Sequence, residues 1–205
     1  MYYYIMQSIS KKNIIEVGLD EVARGCMFGR VYTAAVIWPE EYVEDPNYII
    51  KDSKKLSKKK REELYYYIIN TALDWNVNYM ENTEIDKLNI LQATMKSMHT
   101  NLDNLLIDVD HILVDGTNFN LYNKIPYTCV VKGDDKYYSI AAASILAKVE
   151  HDWYIEDLCK KNPELHEKYD LLNNMGYGTK NHMDNIKKYG ISEYHRRSFG
   201  ICKNY

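Results

Sequence analysis

The stretch from Ile14 to Gly25, with the sequence IIEVGLDEVARG, decides the fold of this chain. It begins as a short apolar run rich in β-branched residues, which is typical of a buried strand. The run reaches two adjacent carboxylates, Asp20 and Glu21. Strand ends in α/β sheets are where ligands usually meet catalytic side chains. Two carboxylates repel each other there, and Mg²⁺ or Mn²⁺, which prefer oxygen ligands, would offset that repulsion. A solvated acidic turn is the alternative interpretation.

Length and composition bound the class of protein. The chain has 205 residues, 46% of them hydrophobic and 27% charged, which is ordinary for one globular domain or one domain with a small appendage. No apolar run is long enough to span a bilayer. The first six residues lack the basic start and the cleavage site of a secretory signal. We therefore expect no membrane association.

The four cysteines lie far apart, and no Cys-x-x-Cys pair occurs among them. This spacing argues against a disulfide framework and against a zinc site. It predicts reduced thiols in a reducing compartment such as the cytoplasm. The cysteines are Cys26, Cys129, Cys159 and Cys202.

Basic residues are clustered although the net charge is −3. The segment from Lys51 to Arg61 carries seven basic residues and one acid, and His195-Arg196-Arg197 forms a second cluster. A polyanionic partner is compatible with a mildly acidic total when the cations lie on one face. For the lysines we weigh two interpretations, a solvated helix face and a phosphate docked at the start of a helix.

Four helix starts are predicted from capping residues. Ser57 precedes a helix with a lysine-rich first turn, and Thr83 precedes one long helix with an apolar stripe from Leu88 to Leu105. Ser139 is predicted to cap a helix that reaches about Leu158. Thr179 is predicted to cap the last helix, which ends at Gly190.

Three predicted strands end on carboxylates. The first run and the segment from Val31 to Trp38 form an antiparallel hairpin, with Gly29 supporting the reversal. Two later strand patterns, at 111–116 and 127–134, end on Asp115 and Asp134. Together with Asp20 and Glu21, they would place four carboxylates within reach of each other. Such a set can hold two divalent ions, and phosphodiester hydrolysis is the reaction that uses this arrangement most.

At this point the chain resembles the ribonuclease HII family, the type 2 ribonucleases H. The motifs that carry the resemblance occur in the order of that family and cover most of the chain. They are VGLDEVARG at 17–25, KDSKKLSKKKRE at 51–62, NILQATMKSM at 89–98, ILVDGTN at 112–118, VVKGDDKYYSIAAASILAKVEHD at 130–152, GYGT at 176–179 and HRRSFG at 195–200.

The resemblance implies an α/β, ribonuclease H-like fold, a mixed five-stranded sheet flanked by helices. It implies a catalytic domain over 1–160 and a small helical region over 161–205 that contributes substrate contacts. The metal-binding acids of the family fall on Asp20, Glu21, Asp115 and Asp134, the last chosen over Asp135 because it completes the Lys-Gly-Asp motif. In such enzymes two metal ions activate water, and the products carry 5′-phosphate and 3′-hydroxyl ends.

The resemblance also implies how ribose is distinguished from deoxyribose, for which the 2′-hydroxyl is the only handle. The family reads it through a Gly-Arg-Gly loop and a tyrosine, which fall on Ala23, Arg24, Gly25 and Tyr177. Ala23 departs from the first glycine of that loop, and a positive φ there would strain an alanine. This departure bears on the recognition of a lone ribonucleotide in DNA more than on the cleavage of a longer hybrid.

The same resemblance places Ser53, Lys54, Lys55, Arg196 and Arg197 against the phosphate backbone. For His195 we favour support of phosphate binding or packing over a metal-ligand role. Lys148 and Asp152 lie one turn apart and are interpreted as a pair on a helix surface.

The expected activity is endonucleolytic cleavage of the RNA strand of RNA/DNA hybrids, and of DNA duplexes at embedded ribonucleotides, with Mg²⁺ or Mn²⁺. The chain is expected to act as a monomer. One alternative is another metal nuclease of the same fold, and the other is a non-catalytic nucleic-acid-binding module, against which the presence of all four acids counts.

Overall fold

A computed structural model of the chain describes residues 6–205. Residues 1–5 lie outside the described residues, and they belong to the amino-terminal stretch in which we see no secretory signal. The strands are β1 (Glu16–Val22), β2 (Val31–Ile37), β3 (Asp74–Met80), β4 (His111–Asp115) and β5 (Tyr127–Val130). The helices are α1 (Lys58–Thr71), α2 (Asn82–Leu88), α3 (Ile90–Asp103), α4 (Tyr138–Lys161), α5 (Pro163–Tyr169), α6 (Leu171–Asn174) and α7 (Lys180–Tyr189), with 3₁₀ turns at Ser53–Lys55, Gly133–Asp135 and Gly200–Asn204.

The strands form one sheet in the order β3-β2-β1-β4-β5, so β1 is the central strand. It pairs with β2 in antiparallel fashion, with Leu19 opposite Ala35. On its other side it pairs in parallel with β4, which in turn pairs in parallel with β5. The predicted hairpin and the predicted mixed five-stranded sheet flanked by helices are confirmed.

Both faces of the sheet are covered, and side chains alternate between them because successive residues of a strand point to opposite sides. In β2, Ala34 and Val36 pack toward α1 and α4. Ala35 and Ile37 pack with Met98 of α3 on the opposite face. This burial on both faces explains why β2 is apolar along its whole length.

Gly18 lets α4 approach β1. A Cβ at this position would lie 2.5 Å from the backbone nitrogen of Ile140 and would also collide with the carbonyl carbon of Ser139. Ser139 therefore lies buried within the first turn of α4, and our prediction that it caps the helix is wrong, because the helix starts at Tyr138 with Tyr137 before it.

The predicted long helix after Thr83 is also wrong, since it is divided into α2 and α3. Asn89, between them, has a φ of 68° and accepts a hydrogen bond from the amide of Gln92 with its side chain. Asparagine tolerates the left-handed region better than most residues and is a strong N-cap, so it ends one helix and begins the next. Ser57 caps α1 as predicted.

The carboxyl-terminal helices pack together beside the sheet. Leu165, Leu171 and Ile186 form an apolar cluster with Phe28 and with Ile155 of α4. Thr179 caps α7 and Gly190 follows it, as predicted. Within residues 6–205 we find no helix long and apolar enough to cross a membrane. The predicted boundary between a catalytic domain over 1–160 and a helical region over 161–205 falls in the last turn of α4. This division of the chain stays a prediction.

The close contact at Gly18 predicts that Gly18→Ala destabilises the protein by about 1–3 kcal/mol or more, because the backbone of α4 would have to move. Gly25→Ala is the matched control, since a Cβ there would meet nothing within 4 Å. Urea unfolding of both variants measures the difference. Equal stability of the two variants would show that α4 does not rest on β1 at Gly18.

Candidate active site

Three parallel strands bring the predicted acids to one edge of the sheet. Asp20 and Glu21 lie in β1 near its end, and Asp115 is the last residue of β4. Asp134 lies one step further, in the 3₁₀ turn that follows β5. Because β1, β4 and β5 run in the same direction, their carboxyl ends meet at this edge.

A cavity of about 430 Å³ opens at this edge. Six of the residues predicted to form the site line it, and Val22, Ser144 and Lys148 complete its wall. From the sequence we do not assign Ser144 to the site, and we interpret Lys148 as part of a surface pair. Their spacing of four residues places them on one face of α4, a signal that becomes informative only when the docking of that helix is known. The six predicted residues are Asp20, Glu21, Ser53, Lys54, Asp115 and Tyr177.

The carboxylates repel each other across this cavity. Burial raises the pKa of Asp20 well above its usual value, and the charges of Glu21 and Asp115 raise it further. Burial also raises the pKa of Glu21. The charge of Asp115 raises this pKa further, whereas the hydrogen bond and the charge of Arg24 lower it. The pKa of Asp134 is raised by burial and then by the charge of Asp115. A cation in the cavity would relieve this repulsion.

The donor set fits a divalent ion, because carboxylate oxygens are the ligands that Mg²⁺ and Mn²⁺ prefer. Three of the four acids are held by the protein: Glu21 by the guanidinium of Arg24 at 2.9 Å, Asp20 by the amide of Glu21 at 2.7 Å, and Asp115 by the amide of Gly133 at 2.7 Å. Within the part of the chain that the structure describes, no three acidic, histidine or cysteine side chains are close enough to share one ion. One or two of these carboxylates, with water molecules as the remaining ligands, would suffice to hold such an ion.

The turn after β1 lies beside Tyr177. Ala23 is buried and has a φ of 66°, so the alanine occupies the strained conformation that a glycine would adopt freely. Arg24 and Gly25 are exposed. Cys26 pairs with Tyr177 in an antiparallel bridge. Burial raises the pKa of Tyr177 to about 12, and a hydrogen bond from the backbone of Ala23 opposes that rise.

Arg196 does not face solvent, so our prediction that it contacts the phosphate backbone is wrong. Its side chain is fully buried. Its guanidinium donates hydrogen bonds to the backbone carbonyls of Gly29 at 2.9 Å, Ala23 at 2.8 Å and Arg30 at 2.8 Å. These bonds use the donors that a phosphate would need.

The other residues predicted to bind phosphate differ in their surroundings. Ser53 is buried and its hydroxyl lies 2.9 Å from that of Ser144. Lys54 is exposed and lines the cavity, and no ion pair holds it among residues 6–205. Lys55 pairs with Asp135 at 2.5 Å. Arg197 is exposed, and its amide donates to Asp86.

His195 is a packed core residue. Its Nδ1 accepts a hydrogen bond from the amide of Ser192 at 2.9 Å, and its Nε2 lies 3.1 Å from Nε2 of His182. His182 Nδ1 lies 2.9 Å from the carbonyl of Tyr177. Both nitrogens of His195 are thus engaged within the protein, which favours packing over metal ligation.

Lys148 and Asp152 are not a surface pair, so that interpretation is wrong. Asp152 is buried, and it accepts from Lys148 at 2.7 Å and from Arg61 at 3.2 Å. Although burial alone would raise it, the pKa of Asp152 is lowered, because His151 and Lys148 donate to its carboxylate. The group joins α1 to α4 and holds Lys148 at the cavity.

The sheet order and the acidic cavity at its parallel edge define a nuclease of the ribonuclease H-like fold. The family model for ribonuclease HII matches residues 17–202. The ribonuclease HII of Parabacteroides distasonis is 46% identical over 187 residues, covering 91% of this chain and 90% of the relative. That of Bacteroides thetaiotaomicron is 45% identical over 190 residues, covering 93% and 92%.

Among solved structures, the ribonuclease H2 from Pyrococcus horikoshii OT3 is similar with a TM-score of 0.75 and 26% identity, covering 92% of this chain and 95% of that one. The chain belongs to the ribonuclease HII family. It is a ribonuclease H, an endonuclease that hydrolyses nucleic acid, from a family that depends on divalent metal ions. The interpretation as a non-catalytic module is thereby set aside.

The buried histidines predict a loss of stability in mild acid. Burial lowers the pKa of His195 to about 3, with His182 as the second cause, whereas an unfolded histidine titrates near 6.5. As the pH falls from about 6.5 toward 3, the unfolded state gains a proton that the folded state does not. The free energy of unfolding then drops by up to about 1.4 kcal/mol per pH unit for this group.

Guanidinium chloride unfolding between about pH 7 and pH 4 measures this slope in wild type and in His195→Gln. The variant should show a shallower slope. Asp20 and Glu21, with raised pKa values, act in the opposite direction, but they contribute equally to both proteins. Identical slopes would mean that His195 is not held neutral.

Proposed function

We propose that the chain cleaves the RNA strand of RNA/DNA hybrids and also DNA duplexes at embedded ribonucleotides, leaving 5′-phosphate and 3′-hydroxyl ends. The observation that carries this proposal is the set of mutually repelling carboxylates, Asp20, Glu21, Asp115 and Asp134, at one edge of three parallel strands. These four acids would hold two ions of Mg²⁺ or Mn²⁺.

When bound, the ions would activate a water molecule for attack on the phosphate and stabilise the leaving oxygen. The chain supplies the rest. The pairing of β1 with β4 fixes the spacing of Asp20 and Asp115, and the buried position of Asp134, unlike the exposed Asp135, supports its inclusion in the set. Lys54 and Lys148 line the same cavity and offer positive charge to the phosphate.

Ribose recognition is assigned to the turn Ala23-Arg24-Gly25 and to Tyr177. The turn follows directly on the two acids of β1, so a nucleotide bound at the turn would have its phosphate near the carboxylates. Tyr177 lines the acidic cavity and is 39% exposed, which leaves one side of its ring free for a sugar or base. The antiparallel bridge between Cys26 and Tyr177 joins the turn to the tyrosine and supports their acting as one surface.

Phosphate contacts outside the cavity are assigned to Lys55 and Arg197, whose side chains are exposed. Arg196 is excluded from this set by its burial. The chain acts as a monomer, and its four free cysteines suit a reducing compartment such as the cytoplasm. Residues 161–205 would contribute substrate contacts through Tyr177 and Arg197.

Labelled duplexes with no, one or many ribonucleotides, incubated with Mg²⁺ or with Mn²⁺, test the proposed activity. Cleavage at a single ribonucleotide and in the continuous hybrid, with none in all-DNA duplex, is the expected result. Cleavage of the continuous hybrid alone would remove the embedded ribonucleotide from the proposed substrates.

Asp20→Asn should abolish cleavage while leaving hybrid binding largely intact, because the acid is assigned to metal rather than to substrate. The metal-free variant should melt at a higher temperature than metal-free wild type, since the substitution removes a repelling charge. Wild type should gain about 2.7 kcal/mol when the ion is present at about a hundred times its dissociation constant. The variant should gain less.

Scanning calorimetry with and without Mn²⁺ measures these shifts, and filter binding measures affinity for the hybrid. Asp135→Asn is the matched control, because this neighbouring acid is exposed and paired with Lys55. The same metal-induced shift in Asp20→Asn and in wild type would contradict the assignment of Asp20.

Tyr177→Ala should reduce cleavage at a single embedded ribonucleotide by about tenfold to a hundredfold more than cleavage of a continuous hybrid. Stacking on a nucleotide is worth about 1–3 kcal/mol, and each 1.4 kcal/mol is about tenfold in rate. Steady-state kinetics on both substrates gives the ratio. Tyr177→Phe keeps the ring and removes the hydroxyl, which separates stacking from hydrogen bonding. Equal losses on both substrates would show that the tyrosine only packs.

A further inference from the structure

Arg196 is the largest fully buried side chain of the described residues. Its guanidinium forms no ion pair within residues 6–205, and its acceptors are all backbone carbonyls. Burying a charge without an opposite charge is costly, so the hydrogen bonds must compensate. Burial lowers the pKa of this group to about 10, which still leaves it charged at neutral pH.

The four acceptors belong to the two ends of one loop. Ala23 and Arg24 start the loop that leaves β1, and Gly29 and Arg30 end it before β2. Ala23 and Gly29 both have positive φ, at 66° and 75°. The guanidinium thus joins both ends of the loop and favours the strained backbone at the turn assigned to ribose recognition.

The middle of the loop lies between two other segments. On one side, the amide of Met27 donates to the carbonyl of Gly176 at 2.9 Å, next to Tyr177. On the other side, the amide of Arg196 donates to the carbonyl of Met27 at 2.8 Å, and the backbones of Phe28 and His195 form an isolated antiparallel β-bridge. The segment with His195 and Arg196 therefore lies on the far side of the loop from Tyr177.

The same segment also reaches Tyr177 by a second route. Because Nδ1 of His195 accepts from the amide of Ser192, a neutral His195 carries its proton on Nε2 and donates to Nε2 of His182. His182 then carries its proton on Nδ1 and donates to the carbonyl of Tyr177. One tautomer of each ring satisfies the whole chain of hydrogen bonds.

We propose that Arg196 and the His195–His182 pair are positioning residues, which fix the turn at Ala23 relative to Tyr177 and thereby set the selectivity for an isolated ribonucleotide. The inference rests on the proposed function, because it assumes that this turn and this tyrosine read the ribose. A planar guanidinium can donate to four carbonyls at once, whereas the ammonium of a lysine has three donors around one atom. A misplacement of about 1 Å in a substrate-orienting group can cost about a hundredfold in rate.

The experiment measures kcat/KM for a single embedded ribonucleotide divided by kcat/KM for a continuous hybrid. This ratio does not change with the fraction of active enzyme, so a loss of folded protein alone does not move it. Arg196→Lys should lower the ratio by about tenfold or more. Lys203→Arg, at an exposed position of the same carboxyl-terminal segment, should leave it within about twofold.

Leu165→Ala, in the apolar cluster of the carboxyl-terminal helices, is the control for lost stability, and it should lower the melting temperature without changing the ratio. A ratio for Arg196→Lys that equals wild type, with a melting temperature lowered as in Leu165→Ala, would overturn the proposal and leave Arg196 a purely structural residue.

A second pair of variants decides the matter if Arg196→Lys does not fold. His182→Asn places an amide donor near the position of Nδ1, keeps the bond to the Tyr177 carbonyl, loses the bond to His195, and should lower the ratio less than His182→Gln does. His182→Gln places its amide near Nε2, loses the bond to the Tyr177 carbonyl, and should lower the ratio. Equal ratios for the two variants would overturn the proposal.

Wild-type cleavage at the single ribonucleotide is scored separately, because its absence counts against the proposed function. In that case the ratio is taken with the shortest ribonucleotide tract that wild type cleaves, and the variants are judged on that ratio by the same criteria.

Discussion

Repulsion among carboxylates at the parallel edge of the sheet is the constraint on which the rest of this structure depends. Asp20 is only 6% exposed and lies beside the charges of Glu21 and Asp115, so its ionised form is disfavoured. Left to themselves, such groups would separate in water. Strand pairing prevents this, because β1 is held between β2 and β4 and packed on both faces. The core thus stabilises an arrangement that is locally unfavourable, as is common at functional sites.

Three positively charged side chains lie close to the acids at this edge of the sheet. Arg24, whose side chain is 42% exposed, forms an ion pair with Glu21, and Lys54, which forms no ion pair within residues 6–205, lines the cavity. Lys148 is held by the buried Asp152, which also binds Arg61. A bound metal ion would compete with Arg24 for Glu21. Because an exposed ion pair is worth only about 0–1 kcal/mol, a divalent ion can displace it at little cost.

The sequence predicts the strands and the acids well, because both depend on local pattern. The apolar run at β1 and the carboxylates at Asp20, Asp115 and Asp134 can be read without knowledge of tertiary contacts. The cap at Thr83 failed because α2 already begins at Asn82, and the cap at Ser139 failed because tertiary packing decides it. Ser139 enters the helix interior where α4 meets Gly18. For a related reason, neither Ser144 nor Lys148 is assigned to the site from the sequence, since an alanine-rich helix buried on most sides shows no amphipathic face from which to read its orientation.

Arg196 and Arg197 show where a charge pattern ceases to be informative. The two are adjacent and chemically identical, and in the sequence both belong to one basic cluster. In the structure the backbone of His195 forms an antiparallel β-bridge with that of Phe28, and the side chain of Arg196 donates to the loop after β1. At the next residue, the amide of Arg197 donates to Asp86. One guanidinium therefore binds backbone carbonyls of the protein, and the other belongs to an exposed side chain. In this chain the basic motif therefore serves the fold as well as the surface, and counting its charges overstates the number of cations exposed to a partner.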